Sequence, residues 1–277
     1  MPLHIKNSKT LISPDNFKLK VLITGLSGSG KTTWASGTPN PGYAACETGY
    51  GNGILPVANK GIDFCEPSSY DELVQVCTGQ IFKDKQSVVL DSFSEICKTS
   101  VKDKALSVPR KFGDSVKREL GVAELDDYQV MGEIGRRLLR QILLLDKHVV
   151  VTSLFRPFAP AEFNEKGVQT RGEKIGGPDL PGSLALGVAA MFDHVLHLNI
   201  RSAVRKGKDG KDERYPQRIL TTVGSDKLLA KSRSSIDDAQ ILPGEIVFDP
   251  ATGTGTWADI FKRISDFYAK QLPIASV

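Results

Sequence analysis

The sequence predicts an α/β fold, with a central, mostly parallel sheet flanked by helices, on three observations. Short apolar, β-branched runs alternate with stretches of helical period along most of the chain. One such run ends at Gly25-Leu-Ser-Gly-Ser-Gly-Lys31-Thr32, which fits a phosphate-binding loop at every fixed position. A second run, Ser87-Val-Val-Leu-Asp91, delivers an aspartate at its carboxyl end. Alternating strands and helices imply parallel pairing, with ligands held at the carboxyl ends of the strands.

Composition bounds the reading. The chain has 277 residues, 25% charged and 40% hydrophobic, as expected for one main domain with a sizeable core. Its apolar runs stay short of the roughly 18 residues a membrane span requires. The N-terminus, Met-Pro-Leu-His-Ile-Lys-Asn-Ser-Lys, lacks the apolar core of a secretory signal, so the chain is expected in the cytoplasm. Cys46, Cys65, Cys77 and Cys97 lie in or beside apolar runs without a C-x-x-C pair, which suits reduced, buried thiols. His194 and His197 fall in a segment that reads as a strand, so the spacing does not argue for a metal site.

In chain order, residues 1–16 carry Pro2 and Pro14 and little periodicity, and read as a tail or edge element. Phe17 to Thr24 reads as a buried strand, and Thr32 to Ser36 opens a helix. Between them, Gly25, Gly28 and Gly30 let the backbone fold tightly, so that successive amides, with Ser27, Ser29 and Thr33 among them, surround nucleotide phosphates. Lys31 reaches the outer phosphates in this reading, and the Thr32 hydroxyl suits Mg²⁺, a hard cation that takes few protein oxygens.

Tyr43 to Glu47 reads as a strand ending in an acid, followed by a glycine-rich turn to Gly53. Ile62 to Cys65 is another short strand, and Ser69 to Phe82 a helix capped by Ser68 or Ser69, with Asp71 and Glu72 in its first turn. Asp91 is then positioned to hold a water of the Mg²⁺ shell opposite Thr32. Asp127 to Asp146 has apolar residues near a 3.6 period and feeds the strand His148 to Ser153.

From Arg156 to Leu180 the periodicity stops. Arg156, Lys166, Arg171 and Lys174 are interleaved with Phe155, Phe158 and Phe163, a composition able to contact phosphates and stack on bases, though the three acids before Pro178 lower its net charge. A plain loop is the competing reading. Pro181 to Met191 reads as a helix, Phe192 to Ile200 as a strand and Arg201 to Tyr215 as a basic hairpin or loop. Arg218 to Thr222 and Lys227 to Lys231 read as strands, Leu242 to Trp257 as loop-rich, and Trp257 to Gln271 as an amphipathic helix. The net charge of +4 is uneven: Val101 to Leu120 holds six Lys/Arg against three acids, and Arg201 to Arg218 seven against three. Such stretches suit a polyanion partner or a solvated surface.

The order of these parts resembles the RecA-type recombinase core, a P-loop NTPase fold, and most resembles the short, single-domain RecA-like annealing ATPases of phages. The resemblance covers residues 18–236, leaving 1–17 as an N-terminal tail and 237–277 as a C-terminal loop and helix packed on the core. It rests on the P-loop strand, the strand ending in Glu47, the stretch Val88-Val-Leu-Asp-Ser-Phe-Ser-Glu-Ile96 followed by a basic segment, the strand His148 to Arg156, a loop ending in Gly176-Gly177, and Lys227 to Arg233. Where that family commonly carries a glutamine before the second DNA loop, this chain has Ser153-Leu154.

The resemblance implies ATP and Mg²⁺ as cofactors, with Glu47 activating the attacking water and Lys231 and Arg233 reaching the nucleotide of a neighbouring subunit. It implies single-stranded DNA as partner, bound through Arg156, Lys166, Arg171 and Lys174, and a homo-oligomeric ring or filament, with room for a single-strand-binding protein as a further partner and no membrane. The expected activity is a DNA-stimulated ATPase promoting annealing or strand exchange in homologous recombination. Two alternatives stay open: a switch or assembly ATPase that never touches nucleic acid, and a ring-forming helicase-type motor.

Overall fold

The computed structural model describes residues 16–47, 53–108, 122–163, 165, 169–206, 211–232 and 240–270. The first strand, β1 (Lys20–Gly25), runs into the glycine loop and the five-residue helix α1 (Lys31–Ala35). Strands β2 (Pro41–Ala45) and β3 (Asp63–Cys65), helix α2 (Tyr70–Cys77) and strand β4 (Ser87–Asp91) follow. Helices α3 (Phe93–Lys98), α4 (Ser100–Leu106) and α5 (Leu125–Leu143) then lead to β5 (His148–Arg156). The short strands β6 (Glu162–Phe163), β7 (Gln169–Arg171) and β8 (Gly177–Pro178) precede helix α6 (Leu184–Met191). The chain continues through β9 (His194–Lys206), β10 (Asp212–Thr221), β11 (Lys231–Ser232) and β12 (Glu245–Phe248) to helix α7 (Trp257–Ala269).

The main sheet has the order β12-β10-β9-β1-β5-β4-β2-β3. Strands β1 to β5 pair in parallel, and β1 pairs in parallel with β9 on its other side, Val21 lying opposite both Val150 and His194. Strands β10 and β12 add an antiparallel flank. The two-residue period of each strand divides its apolar residues between two cores. Leu22, Val88, Leu90, Val149 and Val151 pack under α2 to α6. On the other face, Val21, Ile23, Val89 and Val150 pack with Trp34 of α1 and Trp257, Ile260 and Ile264 of α7. No helix among the described residues is long and apolar enough to cross a membrane.

Several elements differ from the sequence reading. Helix α2, capped by the Ser69 hydroxyl accepting from the Glu72 amide, stops at Cys77 and not Phe82, because Gly79 and Phe82 both take positive φ. Phe82 instead lies over Gly42, where a Cβ would stand 2.3 Å from its ring. The loop-rich reading of 242–257 misses β12, whose Ile246 and Phe248 point inward while Glu245 and Val247 face out. The apparent loop 156–178 contains the β6–β7 hairpin and β8, and its base is tied down by Gly176 donating to the Lys227 carbonyl and accepting from the Leu229 amide. The strand expected over 227–231 reduces to the two residues of β11, paired with β9 at Val195 and His194.

The described parts of the basic stretch 201–215 lie in the two arms of the β9–β10 hairpin, where several charges are paired. Arg201 bonds Glu245 of β12, Arg205 bonds Glu213 at 3.0 Å and Lys206 lies 2.6 Å from Asp212. The basic segment 109–121 lies outside the described residues.

Candidate nucleotide site

Strands β1, β4 and β2 end on the same edge of the sheet, and their carboxyl ends form one corner. Asp91, the last residue of β4, is 4% exposed and accepts three hydroxyl contacts. The Thr32 hydroxyl donates to its Oδ2 at 2.7 Å, the Tyr43 hydroxyl lies 3.2 Å from the same oxygen, and Thr152 Oγ1 donates to Oδ1. Tyr43 comes from β2 and Thr152 from β5, the two strands flanking β4, so the carboxylate is held from both sides. The Tyr43 hydroxyl is also 3.2 Å from the Thr32 carbonyl, which ties the first turn of α1 to this corner. Burial, then the Asp91 carboxylate, pushes the Tyr43 phenol well above its ordinary range, so it stays a neutral donor.

Lys31 is 6% exposed and turns back on its own loop, donating to the Gly25 and Leu26 carbonyls at 3.0 Å each. Burial lowers its pKa, and the carboxylates of Asp91 and Glu47 partly oppose this. Glu47 has its pKa raised by burial first, then by Asp91, with Lys31 acting the other way. A cleft of about 300 Å³ is lined by Ser27, Gly28, Gly30, Lys31, Thr32, Thr33 and Glu47.

Two expected loop residues serve the backbone. Ser29 is 2% exposed, and Gly25 lies where a Cβ would be 2.5 Å from both the Leu198 carbonyl oxygen and Ser29 Oγ. Gly28 and Gly30 take φ of +75° and +105°, the region that favours glycine. Because α1 has only five residues, loop amides and Lys31 rather than a long helix dipole supply the positive field.

The donor set fits the groups the P-loop implies. A hydroxyl and a carboxylate 2.7 Å apart are hard oxygen ligands of the kind Mg²⁺ accepts. A buried ammonium whose partners among the described residues are carbonyls of its own loop is ready to exchange them for phosphate oxygens.

The remaining candidates lie elsewhere. Lys231 sits in β11 beside Val195 and outside this cleft, while Arg233 lies outside the described residues. Arg156 ends β5, its Nε buried without a hydrogen-bond partner among the described residues, and Lys174 bridges Ala159 across the loop. Arg171 belongs to β7 and Lys166 lies outside the described residues. His194 Nδ1 lies 3.0 Å from Ser232 Oγ and His197 Nδ1 lies 3.1 Å from Thr24 Oγ1. No cluster of three or more His, Cys, Asp or Glu able to hold a metal occurs among the described residues.

Sequence reasoning missed Tyr43, Thr152 and Arg218. The first two carry only a faint signal, a hydroxyl within an apolar strand. Arg218 on β10 gives none, yet its Nε donates to the Ser29 carbonyl at 3.1 Å and its side chain lines the cleft.

A family profile described as AAA domain matches residues 18–234. No curated protein matches the chain. Among solved structures, a KaiC-like protein from the hyperthermophilic archaeon Pyrococcus horikoshii aligns at 14% identity and a TM-score of 0.42, over 83% of this chain and 85% of its own.

Proposed function

This chain belongs to the AAA domain family, a family of P-loop ATPases, and from that premise we propose that it binds and hydrolyses ATP with Mg²⁺ while acting, as a homo-oligomer, on single-stranded DNA. Annealing or strand exchange is the recombination step it would promote. The observation that carries the ATPase reading is the corner in which Thr32 Oγ1 meets the clamped Asp91 carboxylate beside Lys31. Thr32 would bind the metal directly and Asp91 through water. When bound, Mg²⁺ neutralises charge on the outer phosphates. Glu47, on the cleft wall and with its pKa raised, would orient the attacking water and take up its proton. Lys231 and Arg233 would act on the nucleotide of the adjacent subunit, making turnover depend on assembly.

The DNA reading is supported by continuity along β5. Thr152 touches Asp91, and the next residues contact α3 through Ser94, whose hydroxyl is 2.8 Å from Ser153 Oγ and accepts from the Leu154 amide at 2.9 Å. Two residues later, Arg156 opens the loop that carries Lys166, Arg171 and Lys174.

A second reading, a switch or assembly ATPase without nucleic acid, is favoured by the ion pairing of Arg201, Arg205 and Lys206 in the β9–β10 hairpin, which offsets part of the positive charge of the basic stretch expected to meet a polyanion. The test is steady-state ATP hydrolysis with and without single-stranded DNA at two salt concentrations, with Lys31→Ala as blank. Salt-sensitive stimulation is expected, since phosphate contacts weaken with salt. Hydrolysis indifferent to DNA would move the assignment to the second reading.

A further inference from the structure

Arg218 enters the nucleotide cleft from the side opposite the metal corner. In the sheet order β10-β9-β1-β5-β4, the P-loop follows β1, Asp91 ends β4 on one side of it, and Arg218 stands on β10 on the other. Its Nε is held by the Ser29 carbonyl at 3.1 Å. Its chain crosses Gly30 so closely that a Cβ there would lie 3.1 Å from Nε and 3.3 Å from Cδ. Register pairs Arg218 with Phe248 of β12, which is 4% exposed and whose ring would stand 3.4 Å from the same Cβ. Gly30 thus leaves room for the Arg218 side chain and the buried Phe248 ring to approach the loop together. With one donor spent on Ser29, a planar guanidinium has four further N–H groups to offer.

We propose that Arg218 is a direct ligand of the α- and β-phosphates of the nucleotide bound by its own subunit. This rests on the nucleotide-binding reading above. The metal corner takes the outer phosphates on the β4 side, so a cation arriving from β10 meets the phosphates nearer the nucleoside, which ADP and ATP share. Arg218 therefore contributes equally to both nucleotides, unlike residues that answer to the γ-phosphate. Its hydrogen bond to Ser29 also fixes the guanidinium before the ligand arrives, which lowers the ordering cost of binding.

The test is calorimetric titration of ADP, a non-hydrolysable ATP analogue, pyrophosphate and adenosine into the wild type, Arg218→Ala and Arg218→Gln. Urea midpoints establish that each variant is folded. Glutamine can keep a neutral donor to Ser29, so it separates loop support from charge. The expected result is a loss of roughly tenfold in affinity for ADP, the ATP analogue and pyrophosphate in both variants, with adenosine unchanged. Recovery by glutamine would overturn the proposal, showing that Arg218 only supports the loop. Loss confined to the ATP analogue, or loss for adenosine without loss for pyrophosphate, would overturn it as well. Wild type that binds no ADP would instead refute the nucleotide-binding reading, whereas wild-type binding with unaltered variants would refute this inference alone.

Discussion

Gly25 and Gly28 belong to one loop but are required for different physical reasons, and alanine at each position separates them. Gly25 carries no positive φ, so alanine can adopt its backbone. The obstacle is space: the new Cβ would stand 2.5 Å from the Leu198 carbonyl oxygen and 2.5 Å from Ser29 Oγ. An ordinary contact needs at least about 0.9 Å more, and Leu198 cannot retreat because β9 is laddered to β1 on one side and to β10, at Leu220, on the other. Overpacking of this kind costs about 1–3 kcal/mol, and two short contacts put Gly25→Ala at the upper end. Gly28 has φ +75° and nothing within 4 Å, so alanine there costs only backbone strain, about 1 kcal/mol.

Urea unfolding followed by ADP titration measures both effects. Gly25→Ala should lose about 3 kcal/mol together with nucleotide binding, since relief requires the loop to leave the sheet. Adding Ser29→Ala removes one of the two contacts and should restore only part of the loss. Gly25→Ala as stable as Gly28→Ala, or full rescue by Ser29→Ala, would refute the steric argument.

Three further outcomes follow from single contacts. Tyr43→Phe removes a hydroxyl 3.2 Å from Asp91 Oδ2 and leaves no cavity, so a loss of about 1.5 kcal/mol is expected in urea unfolding; an unchanged midpoint would show that the clamp contributes nothing. Ser94→Ala breaks the contacts to Ser153 and Leu154; stimulation of hydrolysis by DNA should fall while the DNA-free rate holds, and equal effects on both would count against coupling along β5. His148 accepts from the Leu19 amide at 3.0 Å between Trp257 and Phe261, and burial lowers its pKa from 6.5 to about 4, so the folded state binds fewer protons than the unfolded state between these values. Its stabilisation is complete above 6.5 and is lost as pH falls towards 4, by at most about 3 kcal/mol; His148→Asn keeps an acceptor without titrating and should flatten that limb of the stability curve.

The parts of the site that were legible in the sequence are those whose geometry is local. Gly25 to Thr32 is a continuous loop whose residue types follow from its own backbone, and Asp91 follows from a single strand of uniform apolar character. The parts that were not legible depend on register between distant segments. Nothing in Arg218-Ile-Leu-Thr reveals that β10 lies two strands from β1, which is what brings the arginine to Ser29. Arg201 and Glu245 are 44 residues apart, so the pairing of Arg201 appears only when β12 takes its place at the edge. A four-residue strand flanked by Gly244 and by Asp249-Pro250 is too short for its alternation to stand out from a loop.

Where the resembled family commonly carries a glutamine, this chain has Ser153-Leu154, and any coupling of the nucleotide to the proposed DNA loop would have to use other groups. A glutamine could span from strand to ligand with one long side chain. Here β4, α3 and β5 are packed closely enough for direct hydroxyl contacts: Asp91 to Thr152, then Ser94 to Ser153 and to the Leu154 amide. These three β5 residues are consecutive, so their side chains alternate between the sheet's two faces. The chain that continues from them is Phe155, packed 4.2 Å from the His197 ring, and Arg156. A displacement of Asp91 on metal binding would act on β5 through Thr152 and through α3 together, and a strand held at consecutive residues has little freedom to absorb it locally. Under the proposed coupling, the path from the nucleotide corner to the loop would be one of backbone and hydroxyl packing along β5.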